Sequence, residues 1–188
     1  MLNKHELELA APQIAEKIRK GGVFLHPSDT IYGLGCNAKD EKAVKKVREL
    51  KGQSDKPFSV WAPSVDWIRE NCVVDKKAEE WLGKLPGPYT LILKMKNKSC
   101  VAKSVHLNQS TVGIRIPGHW MHDFVSAVNT PIITTSANRT GEPFMTSHEN
   151  LHPDIKRGLD FIIYEGEKRG RPSQIVDLTG AKTTVKKR

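Results

Sequence analysis

The stretch Val23 to Ala38, VFLHPSDTIYGLGCNA, decides the fold. Val23 to Leu25 is a short apolar run bounded by Gly21-Gly22 and by Pro27, the pattern of a buried strand, and the polar, glycine-rich segment after it reads as a turn. Ser28, Asp29 and Thr30 therefore fall at a strand end, where function is usually carried. Gly33 to Ala38 also fits the dinucleotide pattern G-x-G-x-x-A. Pro27 to Thr30 intervene, however, so these glycines do not sit at the first strand-to-helix turn that a bound pyrophosphate requires. No G-x-x-x-x-G-K-[ST] occurs, so any phosphate is held by another device.

Upstream of this stretch, Leu7, Ala11, Ile14, Ala15 and Ile18 recur at helical spacing and predict one amphipathic helix stopped by the glycine pair. Downstream, Asp40 caps a second helix with Ala43, Val44, Val47 and Leu50 inside and Lys42, Lys45, Lys46 and Arg48 exposed; Lys51 to Pro57 reads as loop. Strands are expected at Phe58 to Trp61, Tyr89 to Met95, Thr111 to Ile116, Pro131 to Thr134, Phe161 to Tyr164, Ile175 to Leu178 and Thr183 to Lys187. Helices are expected at Ser64 to Asn71, Asp75 to Leu85 and His119 to Val128. The elements are interspersed without strict alternation, repeat or long linker, which predicts one mixed α/β domain over residues 1–188.

The 188 residues suffice for one core, burying roughly 70% of the unfolded surface. With 38% hydrophobic and 27% charged residues and no apolar run near the roughly 18 residues of a membrane span, the composition excludes membrane, collagen-like and wholly disordered classes. Met1 leads into His5, Glu6 and Glu8, unlike a secretory leader, so a cytoplasmic location is expected. Cys36, Cys72 and Cys100 are odd in number and widely spaced, and form no disulfide framework or metal knuckle. The formal charge of +9 favours an anionic partner, a nucleotide or RNA.

His119-x-x-His122 and His148-x-x-x-His152 have metal-compatible spacing but no evident third ligand, and no metal site is assigned. Ser28, His26 and Asp29 are adjacent in the chain, so their side chains diverge and make no hydrolase triad. What remains are hydroxyls, an amide and fixed cations at strand ends: Ser28 and Thr30, Lys51 and Lys56, Arg115 in VGIRIP, and Thr134 to Asn138 in TTSAN. This set suits a polyanion beside a small zwitterion.

Taken together, those segments resemble the YrdC-type threonylcarbamoyl-AMP synthase family from about Val23 to Leu178. Its P-[ST]-[DE]-T-x-Y-G-L stretch is Pro27 to Leu34, its P-G-P-x-T is Pro86 to Thr90, its V-G-x-R-x-P is Val112 to Pro117, its T-S-A-N is Thr135 to Asn138, and Pro172-Ser173 with Ile175 to Thr179 is similar to its C-terminal segment. The resemblance implies a twisted, mixed parallel and antiparallel sheet with helices packed around it and a concave basic face. It implies formation of threonylcarbamoyl-adenylate and pyrophosphate from L-threonine, bicarbonate or CO2, and ATP, with Mg2+ bound through the phosphates and no protein metal site. The product is the donor for a tRNA modification, so tRNA and the enzyme complex that transfers the threonylcarbamoyl group are the implied partners.

By the same resemblance, Ser28, Arg115 and Ser173 hold threonine. Lys51, Gln53, Lys56, Thr111, Ser136, Asn138 and Arg188 hold ATP, and Lys51 and Arg115 are the catalytic pair. The chain departs from the family at Gln53, where an arginine is usual, at Gln174, and at Trp61, where a smaller polar or His side chain is common. Its extent corresponds to the short form of the family. Two other readings come from different classes: an RNA- or tRNA-binding module of the same fold with weak catalysis, and carbamoyl transfer in hydrogenase maturation, where a similar domain lies inside a much larger chain.

Overall fold

The computed structural model describes residues 1–52 and 55–187; the expectations for Gln53 and Arg188 lie outside these residues. Nine strands join into one sheet: β1 (Phe24–His26), β2 (Gly33–Gly35), β3 (Ser59–Trp61), β4 (Tyr89–Lys94), β5 (Thr111–Arg115), β6 (Ile132–Ser136), β7 (Phe161–Ile162), β8 (Gln174–Asp177) and β9 (Thr184–Lys186). Their order is β7-β1-β2-β6-β3-β5-β4-β8-β9. The pairs β1–β7, β3–β5 and β4–β8 are parallel and the other five antiparallel, so the expected mixed α/β sheet is the observed architecture.

Successive strand residues face opposite sides of the sheet, and both sides are buried. Leu25, Val60 and Ile133 enter a larger core with Val44 and Val47 of α3 (Glu41–Lys51), whereas Phe24, Trp61 and Ile132 enter a smaller one with Ile14 and Ile18. The smaller core also takes Met121 and Val125. On the smaller-core side the strands change character along their length: Ile132 gives way to Thr134 and Ser136, and Trp61 is preceded by Ser59. This polar end of an apolar face is where the cavity described below opens.

The N-terminal pattern is not one helix but two, α1 (Lys4–Leu9) and α2 (Ala11–Arg19). Pro12 lies in the first turn of α2, the helical position that tolerates a missing N–H. α1 is closed by a capping box in which Asn3 and Glu6 each accept the other's backbone N–H, at 2.9 and 2.8 Å. Arg48 corrects a second expectation. It is 8% exposed and not solvated: its guanidinium donates to the carbonyls of Ser104 at 2.7 Å and Lys56 at 3.0 Å and lies 4.3 Å from the Phe58 ring. It thereby fastens the segment that carries Lys56.

β2 replaces the expected turn, and its glycines have a packing cause. A Cβ on Gly33 would stand 2.7 Å from Cε1 of His26, and one on Gly35 2.8 Å from Cζ of Phe24. The glycines leave room for rings reaching over from β1, which explains why G-x-G occurs without a phosphate-binding turn. Gly33→Ala is expected to destabilise the fold by about 1–3 kcal/mol through overpacking, read as a lower midpoint in thermal unfolding.

Candidate active site

The turn after β1, the end of α3, and the polar ends of β5 and β6 converge on one cavity of about 320 Å³. Lys51, Lys56 and Arg115 line it, together with hydroxyl residues from β3, β4 and β6 and from the segments beside β1 and β8, and no Asp or Glu contributes to the wall among the described residues. An interior with three cations and many hydroxyls suits an anion with several oxygen atoms.

One wall is built on Arg115. The last residue of β5, it is 5% exposed, and its terminal nitrogens donate to Thr30 Oγ1 at 3.0 Å and to the Asp29 carboxylate. Asp29 also accepts the Gly118 N–H at 3.1 Å. A buried guanidinium held by a carboxylate and a hydroxyl keeps one orientation, and each terminal nitrogen carries a second N–H. Ser28 beside it donates to the Ile31 carbonyl at 2.7 Å and accepts the Thr30 N–H at 3.1 Å. Also in the lining, the Ser173 and Thr90 hydroxyls lie 2.8 Å apart.

A second part of the wall is built on Lys51. The expected loop begins one residue too early: Lys51 is the last residue of α3, which ends at left-handed Gly52 (φ 57°). Its Nζ donates to the carbonyls of Ser136 (2.7 Å) and Asn138 (2.9 Å), with Asn138 Oδ1 at 3.2 Å. Thr140 returns the contact, since its N–H and Oγ1 both donate to the Lys51 carbonyl, at 2.8 and 3.0 Å. Burial lowers the Lys51 pKa to about 8, because the ammonium has lost most of its water.

Seven of the expected site residues thus share one cavity: Ser28, Lys51, Lys56, Arg115, Ser136, Asn138 and Ser173. Thr111 does not line it. It pairs with Lys94 at the far end of β5, on the face of Arg115 but four residues away, about 13 Å at the usual strand rise. Asp29, Thr30, Thr90 and Thr140 hold the walls together, and only their presence inside or beside the quoted motifs hints at this in the sequence. The histidine pairs have structural partners. His119 Nε2 lies 3.0 Å from Glu165, His122 Nε2 lies 3.3 Å from Ser126 Oγ, and His152 Nδ1 caps α8 (Pro153–Gly158) by accepting the Asp154 N–H. No group of three or more His, Cys, Asp or Glu among the described residues could hold a metal ion.

The family model Sua5_yciO_yrdC, described as "Telomere recombination", matches residues 16–188. The chain belongs to the Sua5/YciO/YrdC family. Among its curated relatives are the threonylcarbamoyl-AMP synthase of Pyrococcus abyssi, 34% identical over 86% of this chain and 48% of that protein, and the putative threonylcarbamoyl-AMP synthase of Methanocaldococcus jannaschii, 32% identical over 94% and 84%. The chain thus spans about half the length of the first. The crystal structure of P. abyssi Sua5 complexed with L-threonine superposes with a TM-score of 0.86, at 31% identity over 98% of this chain and 55% of that one. The single α/β domain, with its mixed sheet and packed helices, matches the Sua5 and YciO structures in fold. No helix among the described residues is long and apolar enough to cross a membrane.

Proposed function

We propose that this Sua5/YciO/YrdC protein is a threonylcarbamoyl-AMP synthase. It converts L-threonine, bicarbonate and ATP to threonylcarbamoyl-adenylate, pyrophosphate and water, and supplies the adenylate for tRNA modification by a transferring enzyme complex. The observation that carries this reading is the placement of Arg115 and Lys51 in the lining of one cavity that has no carboxylate among its described lining residues. The relatives' names and the threonine complex of P. abyssi Sua5 support it.

In this reading the Arg115 fork takes the threonine carboxylate, with Ser28 and Ser173 around the rest of the amino acid. The amine adds to CO2 or bicarbonate to give a carbamate, a weak anionic nucleophile. One carbamate oxygen then attacks the α-phosphorus of ATP while the bond to the leaving pyrophosphate breaks. Two anions must approach each other, so the protein's part is charge neutralisation and alignment. Lys51 and Lys56 bear on the phosphates, with Ser136 and Asn138 as hydrogen-bonding neighbours. Among the described residues the wall offers no carboxylate to a resident divalent cation, so Mg2+ arrives on the triphosphate as part of the substrate.

ATP, bicarbonate and L-threonine together are expected to yield pyrophosphate and an adenylate visible by mass spectrometry, whereas any two of them yield neither. Turnover with threonine omitted would contradict the assignment. The depressed Lys51 pKa adds a pH dependence. Phosphate favours the ammonium, so above pH 8 nucleotide binding must take up a proton. ATP affinity is therefore expected to be level below about pH 8 and to weaken up to tenfold per pH unit above it. Calorimetric titration between pH 6.5 and 9.5 checks this, and Lys51→Ala should lose the dependence.

A further inference from the structure

Tyr164 to Ser173 run from β7 to β8 without regular secondary structure, and the far end of this strap is cavity wall, since Pro172 and Ser173 line it. A segment without a helix or a sheet ladder keeps its place only through the contacts that tie it down.

Several of those contacts converge on one side chain. The Glu165 carboxylate accepts from His119 Nε2 at 3.0 Å, from Trp120 Nε1 at 2.7 Å and from Lys168 Nζ at 2.5 Å. His119 is set for this role: its Nδ1 accepts the Met121 N–H at 3.3 Å, so the proton is on Nε2 and is donated to the carboxylate. The His119 side chain is 10% exposed and that of Glu165 23%, which separates this knot from a solvated surface pair. Burial alone would raise the Glu165 pKa, but the hydrogen bonds from His119, Lys168 and Trp120 outweigh it and hold the group down at about 2. The backbone joins in. The Tyr32 hydroxyl accepts the Glu165 N–H at 3.0 Å and donates to the Gly166 carbonyl at 2.7 Å, and the Lys168 N–H donates to the Thr146 carbonyl at 2.8 Å.

From this knot the strap reaches the Arg115 wall. Gly170 lies against the Thr30 carbonyl so closely that a Cβ there would stand 1.9 Å from the oxygen. Thr30 is the residue whose Oγ1 accepts from Arg115 at 3.0 Å, and the same oxygen lies 3.0 Å from the Ser28 hydroxyl. Three residues further on, Ser173 meets Thr90. A shift of the strap therefore moves both the Thr30 and the Ser173 sides of the wall. Lys51 is held separately, by oxygens of Ser136 and Asn138.

We propose that Glu165 is a positioning residue for the amino-acid subsite: it stands outside the cavity lining, and by gathering His119, Trp120 and Lys168 it holds the strap against Thr30 and so sets the spacing of Arg115, Ser28 and Ser173. The inference rests on the reading of the Arg115 wall as that subsite.

The test is pyrophosphate release by the full chain, titrated with L-threonine and separately with ATP. Glu165→Ala is expected to raise KM for threonine about 10–100-fold, the effect of misplacing a binding group by about 1 Å, and to leave KM for ATP within about threefold. Glu165→Gln keeps an oxygen acceptor for Trp120 and Lys168 and should hold KM for threonine within about threefold of the parent. Gly170→Ala pushes the strap off Thr30 with the knot intact and should reproduce the selective rise. A merely structural knot would lower the thermal midpoint and affect both substrates alike or neither. An unchanged threonine KM in a cooperatively melting Glu165→Ala protein overturns the proposal, as does an equal rise for both substrates. If Glu165→Ala does not fold, Gly170→Ala decides by the same criterion. Absence of turnover in the parent protein would overturn the proposed function, and this inference with it. Turnover in the parent with no selective rise in the variants would overturn this inference alone.

Discussion

Arg115→Ala is expected to lower kcat/KM for L-threonine by about 10²–10⁴-fold, the equivalent of two charge-assisted hydrogen bonds of about 1.5–3 kcal/mol each. The same change has a second, separable consequence. Arg115 and Asp29 form an ion pair whose side chains are only 6% and 13% exposed. Removing one partner leaves the Asp29 carboxylate with the Gly118 N–H as its remaining described contact. Breaking a buried pair in this way costs about 3–5 kcal/mol. A double variant, Arg115→Ala with Asp29→Ala, is expected to recover much of that stability in thermal unfolding and none of the threonine use. Recovery of both would mean that Arg115 only supports the fold. Arg115→Lys should not restore activity, because a point charge cannot replace the planar fork that Asp29 and Thr30 orient.

Lys51→Ala is expected to lower kcat/KM for ATP by about 10²–10³-fold and leave the apparent threonine affinity within about threefold. The ammonium is held by oxygens of Ser136 and Asn138, so these groups lose their donor as well as the phosphates losing a charge. The cavity is open to water, which can rehydrate the carbonyls, so the stability loss should be the smaller effect. Pyrophosphate release measured against ATP and against threonine separates the two roles: equal effects on both substrates would contradict the division between the walls.

Much of the site was legible because its residues lie in short motifs at strand ends. Ser28 follows β1, Arg115 ends β5, and Ser136 and Asn138 lie at the end of β6; their shared position on one sheet then follows from strand order alone. What the sequence concealed depends on contacts between distant segments. Arg48 sits in a row of lysines on α3 and looks solvated, but the carbonyls of Ser104 and Lys56 come from elsewhere in the chain. β2 looked like a turn because Gly33 and Gly35 make room for the His26 and Phe24 rings of its neighbour, a requirement visible only once the strands are paired. Asp29 could be seen as a carboxylate near Ser28, but not as the anchor of an arginine 86 residues away.

Pro12 illustrates the opposite case, a signal present in the sequence and outweighed by periodicity. Its ring ends one helix and begins another, although the apolar spacing runs through both. Thr111 lies between these cases. Its motif places it on the face of Arg115, and the strand's length places it outside the cavity wall.

The central claim is that the amino acid and the nucleotide meet in one cavity between Arg115 and Lys51. A crystal structure determined after soaking with ATP, bicarbonate and L-threonine tests it most directly. The account predicts a single adenylate, its carboxylate on the Arg115 guanidinium and its phosphate within reach of Lys51. A nucleotide bound away from this cavity, with no amino-acid carboxylate on Arg115, would contradict it.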